Sequence, residues 1–254
     1  AVQSIYEDQF RKLLELTRIK TNKNRIALAG GCALNCVANT IAWEYFDDVW
    51  IFPNPGDAGS SVGAVLAHQK HKLVWEHCYW GYDIPGEYPI KNTIDALLKG
   101  LPVGVANGQA EVGPRALGNR SLLADPRGPD IKDRVNEIKR RQKFRPFAPI
   151  ILAEHVHEYF DVPSGFTDTS YMQVVARCKR PDLFPAIVHV DGTSRIQTVP
   201  ANGSGVRELL EKWFVLTDCP ILLNTSLNIR GEPMVNDRAD ADRFEQQYGV
   251  KVCS

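Results

Sequence analysis

The chain lacks any long apolar run. No stretch approaches the ~18 consecutive apolar residues that a membrane span needs, and no charged, apolar, small-residue leader opens it. Net charge is lacking as well. Thirty basic side chains offset thirty acidic ones, so no overall field draws the chain toward nucleic acid or an anionic membrane surface, and any anion site must be a local cluster. Cysteine is sparse and scattered. Cys32, Cys36, Cys78, Cys178, Cys219 and Cys253 show no metal-knuckle spacing, even in the Cys32/Cys36 pair, and read as buried reduced thiols. That usage, with no leader, predicts a cytoplasmic protein. Fixed-period repeats and low-complexity tracts are absent too, which excludes solenoids and disordered linkers.

What is there alternates. Ile5, Phe10, Leu13, Leu14 and Leu16 lie on or near one face of an opening helix. Strands at 25–29 and 49–52 each end in a glycine turn, Gly30-Gly31 and Pro55-Gly56-Asp57, and each turn leads into a helix, at 34–45 and 58–69. Such repetition predicts α/β layers. From about Trp75 to Pro89 the Trp, Tyr, Gly and Pro content predicts a surface connection, and a domain boundary near residue 80. Residues 1–80 then form one domain and residues 81–254 a second, mixed α+β domain. Its expected helices are at 90–99, 130–139 and 206–216, and its expected strands at 103–106, 121–124, 171–176, 187–190, 195–199 and 221–223.

Four segments carry functional groups. Gly30-Gly31, followed by Asn35, suits either a tight connection or a backbone approach to phosphate at a helix start. Asp57 suits a metal ligand or a helix cap equally well. Between residues 115 and 145 stand ten Arg or Lys against four acids. A solvated helix face accounts for Arg127, Lys132, Arg140 and Lys143. It accounts poorly for Arg115 and Arg120 in GPRALGNR, or for Arg145 between Phe144 and Pro146, where rigid neighbours preorganise a guanidinium fork for phosphate or carboxylate oxygens. His189, Asp191 and Arg195 are expected at one end of a hairpin. The fourth segment, Asn224-Thr225-Ser226-Leu227-Asn228, offers amide and hydroxyl groups to a ribose, a base edge or a carbamoyl group, or forms an Asx-turn.

Taken together, the runs GGCALN, PNPGDAGSSVGA, GPRALGNRSLLADPR, KFRPFAPIIL, HVDGTSRIQTV and LNTSLNIRGEP resemble, in order, the O-carbamoyltransferases of the nodulation and antibiotic-tailoring family. The resemblance implies that residues 1–80 are the second half of an actin-like, threonylcarbamoyl-transferase-like domain. It implies that residues 81–254 resemble threonylcarbamoyl-adenylate synthases. The implied chemistry is formation of carbamoyl adenylate from carbamoyl phosphate and ATP, then transfer to a hydroxyl of a small-molecule acceptor. By the same resemblance, Arg115, Lys139, Arg145 and Arg195 hold the phosphates and the carbamoyl group. Arg120, His189, Asn224 and Ser226 line that pocket, Gly30, Gly31 and Asn35 form the nucleotide-side loop, and Asp57 binds metal. Implied cofactors are ATP, Mg2+ and a divalent transition metal such as iron. The family's His-x-x-x-His metal pair has no counterpart here, since His68 and His71 are spaced by three. A missing N-terminal segment or a second chain is therefore the expected source of those ligands. Two alternatives share or forgo the chemistry: a threonylcarbamoyl-adenylate-forming enzyme of tRNA modification, which neutral charge argues against, and a nucleotide-binding subunit without turnover.

Overall fold

The computed structural model describes residues 1–163, 166 and 168–254 as a mixed α/β protein. The first lobe opens with helix α1 (Val2–Thr21), ended by Asn22 in the left-handed region. Strand β1 (Arg25–Leu28) pairs in parallel with β2 (Asp48–Ile51). Between them the expected helix at 34–45 is broken. Only α2 (Cys36–Asn39) is α-helical, and 3-10 turns flank it at Gly31–Leu34 and Thr40–Glu44. After β2, a 3-10 turn at Asp57–Gly59 leads into α3 (Ser60–Gln69). The core of this lobe is small: Leu14, Ile41, Ala42 and Phe46. Ile5, Leu13 and Leu16 remain exposed, so α1 turns Leu14 and Phe10 inward and leaves much of its apolar face outside.

The expected surface connection contains a strand. β3 (Tyr79–Ile84) pairs antiparallel with β5 (Gly108–Glu111), and Cys78 just before it and Ile84 at its end are buried. Between them lie α4 (Ile90–Leu98) and β4 (Val103–Ala106), and beyond them β6 (Arg120–Ala124), α5 (Ile131–Ile138) and β7 (Ala148–Leu152). A short α6 (Val156–Tyr159) and β8 (Phe160–Asp161) follow, then β9 (Val175–Cys178), β10 (Thr193–Arg195) and β11 (Gln197–Val199). The chain closes with α7 (Gly205–Thr217), β12 (Ile221–Ser226), α8 (Arg238–Tyr248) and β13 (Val252–Cys253). Residues 187–190, expected as a strand, turn instead. Ile187 N–H donates to Phe184 O, Ile187 is buried, and Val190 is 87% exposed.

A six-stranded sheet in the order β11-β7-β12-β6-β4-β13 organises the second lobe. Its apolar residues alternate between two cores, as a period of two requires. Leu122, Ala124, Ile151, Ile221 and Leu223 face α5 and α8, whereas Leu123, Ile150, Leu152 and Leu222 face α4 and α7. Because both faces are covered, these strands read as continuous apolar runs. Helix α7 buries Val206, Leu209, Leu210 and Trp213, one stripe at helical spacing. A three-stranded sheet, β10-β9-β8, stands beside it. The lobes are joined by hydrogen bonds: Asn39 Nδ2 to Gln173 O at 3.0 Å, Gln173 Nε2 to Ile51 O and Phe52 O at 2.8 and 2.9 Å, and Val175 N–H to Thr40 Oγ1 at 3.1 Å.

Candidate functional site

A cavity of about 350 Å3 lies where the lobes meet. Arg141, Arg145, His189 and Arg195 line it from the second lobe, and Cys36 and Val37 from the first. Arg115 stands beside Arg195 and Cys36. None of Arg115, Arg141, Arg145 and Arg195 pairs with a carboxylate among the described residues. Burial, with Arg115 and Arg145 close by, pushes Arg195 down to about 10, and its buried Nε has no partner among the described residues. Burial, Arg145 and Arg195 push Arg141 down to about 10 as well, and burial lowers Arg115. Burial and like charge thus concentrate unpaired positive charge at this cavity, an arrangement that favours an anion. Among the described residues one acid lines the cavity, Asp191, which spends its Oδ1 on Thr193 N–H and Oγ1 at 2.9 and 2.7 Å and faces His189 Nδ1 at 3.6 Å.

Buried polar groups hold the arginines in place. Asn136, fully buried in α5, donates to the carbonyls of Lys143 and Arg145 at 3.2 and 3.0 Å and accepts from Arg141 Nε at 2.6 Å. The Arg141 guanidinium also stacks over Phe147, 4.2 Å from the ring centroid. Arg195 ends β10, fixed by its pairing with Val175 of β9. Arg115 rides on the loop between β5 and β6. There Gly113 has φ 142°, and a Cβ at that position would lie 3.1 Å from Pro53 O of the first lobe, so the loop passes close against the neighbouring backbone.

The remaining sequence-derived residues divide. Lys139 lies at the end of α5, where its Nζ donates to Ser226 O at 2.7 Å, to Asn228 O at 3.2 Å and to Asn228 Oδ1. Ser226 Oγ donates to Asn228 Oδ1 at 2.7 Å. These residues form a clamp that meets the cavity through Arg141, whose charge adds to the burial that pushes Lys139 down to about 7. Asn224 is buried beneath the Arg115 loop, donating to Ala116 O at 3.0 Å and Gln197 Oε1 at 2.7 Å. Arg120 is not brought to the cavity. Fully buried, its guanidinium donates to five carbonyls, those of Tyr82, Asn107, Gly108, Asn119 and Asn236. It has the structural role of a backbone tie and corrects the expectation that it lines the pocket.

In the first lobe the two glycine turns lie side by side at the ends of the parallel strands, tied by Gly30 N–H to Pro55 O at 2.7 Å. Gly30 and Gly31 have open space where a Cβ would project, so a ligand can approach their backbone. Asn35 caps α2, accepting from Ala38 N–H at 3.2 Å, and bonds Gln3 of α1. Its neighbours Cys36 and Val37 form the cavity wall. Asp57 is exposed at the start of its 3-10 turn. No group of three His, Cys, Asp or Glu side chains among the described residues could hold a metal, so these residues do not fit a transition-metal site by themselves. The thiol expectation holds for Cys78, Cys178, Cys219 and Cys253, which are buried, but not for Cys32, which is exposed, or Cys36, which is half-buried.

Arg141, Asn136 and Cys36 join the site without a sequence-derived expectation of that role. Arg141 lies in the run KRRQK, indistinguishable by composition from the Arg140 and Lys143 beside it. A buried asparagine one helical turn before that run was the available signal.

Comparison with known proteins gives two family matches. A family model described as carbamoyltransferase N-terminus matches residues 1–66, and one described as carbamoyltransferase C-terminus matches residues 94–253. The chain is 35% identical over 275 residues to nodulation protein NolNO of Sinorhizobium fredii, covering 95% of this chain and 40% of that protein. It is 38% identical over 225 residues to nodulation protein U of the same organism, covering 81% and 40%. It is 34% identical over 300 residues to an uncharacterized protein of Synechocystis, covering 96% and 48%. It thus spans less than half the length of these relatives. A solved structure of full-length HypF, phosphate- and nucleotide-bound, aligns at TM-score 0.49 and 20% identity over 63% of this chain and 20% of that one. The arginine cavity draws its cations from within the C-terminal match and its opposite wall from within the N-terminal match, and the chain belongs to the carbamoyltransferase family.

Proposed function

We propose that this chain carries the carbamoyl-activating part of an ATP-dependent O-carbamoyltransferase. The observation that supports this most is the convergence of Arg141, Arg145 and Arg195 on one cavity, with Arg115 beside Arg195, and without carboxylate partners among the described residues. In this reading the arginines hold the phosphate oxygens of carbamoyl phosphate and ATP. Carbamoyl phosphate is cleaved by water, orthophosphate leaves, and the carbamate oxygen attacks the α-phosphorus of ATP as pyrophosphate departs, giving carbamoyl adenylate. Charge moves between phosphoryl groups throughout, and fixed guanidinium groups stabilise it without reorganising. His189, half-exposed at the rim, is placed to exchange a proton with a bound oxygen.

The acceptor hydroxyl of a small molecule then takes the carbamoyl group. The open backbone at Gly30-Gly31 supports a nucleotide-side role for that turn. We assign residues 1–80 to an actin-like, threonylcarbamoyl-transferase-like half-domain and residues 81–254 to a threonylcarbamoyl-adenylate-synthase-like domain. ATP is proposed to enter with Mg2+. A transition metal would need Asp57 together with ligands from other polypeptide, and none of the steps above passes through it. Incubating the chain with carbamoyl phosphate, ATP and Mg2+ should release pyrophosphate, and Arg145→Ala should reduce that rate at least about tenfold, the loss of one charged hydrogen bond. Equal release by the two proteins, or none by either, would defeat the proposal.

A further inference from the structure

Glu111 stands outside the arginine cavity, yet it governs the loop that carries Arg115. It ends β5, is 7% exposed, and forms no ion pair among the described residues. Its Oε1 accepts from the backbone N–H groups of Leu117, Asn119 and Arg120 at 2.6, 2.9 and 3.3 Å. Three N–H groups converging on one oxygen form a nest that suits a negative charge and counters the burial that raises the Glu111 pKa, whose Oε2 is buried without a partner among the described residues. The loop's carbonyls are bound from other sides. Asn224 donates to Ala116 O at 3.0 Å, Gln197 to Leu117 O at 2.9 Å and Tyr88 to Gly118 O at 2.8 Å. With residues 116–120 fixed in this way, Arg115 is the charged side chain that the loop presents toward Arg195 and Cys36.

We infer that Glu111 is the positioning residue for Arg115: by gathering the N–H groups of residues 117–120 it sets the loop backbone from which Arg115 reaches the anion. The inference rests on the reading of the cavity as a phosphate site. It goes beyond that reading because Glu111 acts on the anion through a backbone. Removing the carboxylate frees the loop, and Arg115 then spends binding energy on ordering itself.

The test is a double-mutant cycle on the full chain, with inorganic phosphate as titrant in calorimetry and thermal unfolding as the second readout. Arg115→Ala should weaken phosphate binding about tenfold. Glu111→Gln keeps an acceptor oxygen but not the charge and should weaken it about threefold, half the strength of the nest being lost. In the Arg115→Ala background, Glu111→Gln should leave phosphate affinity unchanged while lowering Tm by the same amount as in the wild type. A purely structural role would carry its affinity loss unchanged into that background, and this result would overturn the inference, as would wild-type affinity in the single variant. Glu111→Ala should have the larger effect. If it does not fold, Glu111→Gln decides alone. If the wild-type chain binds no phosphate, the cavity reading fails. Amide exchange at Leu117 and Asn119 then still separates the two claims: faster exchange in Glu111→Gln shows the loop held by Glu111, and unchanged exchange overturns that as well.

Discussion

Lys139 shows what a buried cation costs and what limits the cost. The residue is 8% exposed, and its acceptors are two carbonyls, an amide oxygen and the Ser226 hydroxyl, with no carboxylate among them in the described residues. Burial, then the charge on Arg141, pushes it down to about 7. Its unfolded value is the ordinary 10.5, so between about pH 7 and 10.5 the unfolded chain binds more protons than the folded one. Folding stability therefore gains from this residue as pH rises through that window, by at most about 1.4 kcal/mol per pH unit. Below pH 7 the penalty is fully present. Lys139→Met should flatten the slope in urea unfolding between pH 7 and 9, while lowering absolute stability because the clamp's oxygens lose their donor. A variant with the wild-type slope would show that the ammonium is not destabilised there. Arg145 and Arg195 were legible because aromatic, proline or turn residues flank them. Arg120 sits among equally rigid neighbours, but its donors go to five carbonyls, and only tertiary contacts reveal that.

At the scale of elements, the loop between β5 and β6 is a tight join in the second lobe. Gly118 has φ 128°, and a Cβ there would lie 2.8 Å from Val206 Cβ on α7. Gly118→Ala should cost about 2 to 4 kcal/mol in denaturant unfolding, from strain and overpacking together, and Val206→Ala should return part of it by making room. Indifference to the substitution would mean that α7 does not press on this loop. Strands β4, β6 and β12 were readable because both sides of the sheet are covered, so apolar residues run without a break. Strand β7 was hidden by Pro149 within it and Pro146 just before it. Pro149 is tolerated because it pairs with Leu223 of β12 while β11 reaches only from Ile150 onward, so no second neighbour needs its missing N–H. Strands β5 and β8 are too short and polar to stand out from loops. The helix at 34–45 had apolar spacing, but Asn35 and Asn39 bond backbone groups and break it into turns.

For the whole molecule, neutrality conceals a polarised distribution. The net charge is zero, yet several guanidinium groups share one seam with few acids. Inorganic phosphate should therefore raise Tm, and the rise should shrink as NaCl goes from about 0.05 to 0.5 M, since exposed parts of the site are screened over about a Debye length. A rise that ignores salt would point to binding away from the arginines. The mixed α/β character and the basic stretch between residues 115 and 145 were legible from one sequence, because period and local composition record them, but which of those cations reach the cavity was not, as Arg120 and Arg141 show. The joining of the two lobes was not, because Thr40, Gln173 and Asn39 are ordinary polar residues whose partners lie more than a hundred positions away.

That joining has a further consequence. The first lobe's main apolar cluster has four buried side chains, and α3 buries none, so little apolar burial of its own holds this lobe closed. Its wall of the cavity, Cys36 and Val37, faces cations anchored in the larger lobe. If an anion is seated there as proposed, it would act as a removable crosslink, lending the small lobe the cooperativity of the large one only while the site is occupied.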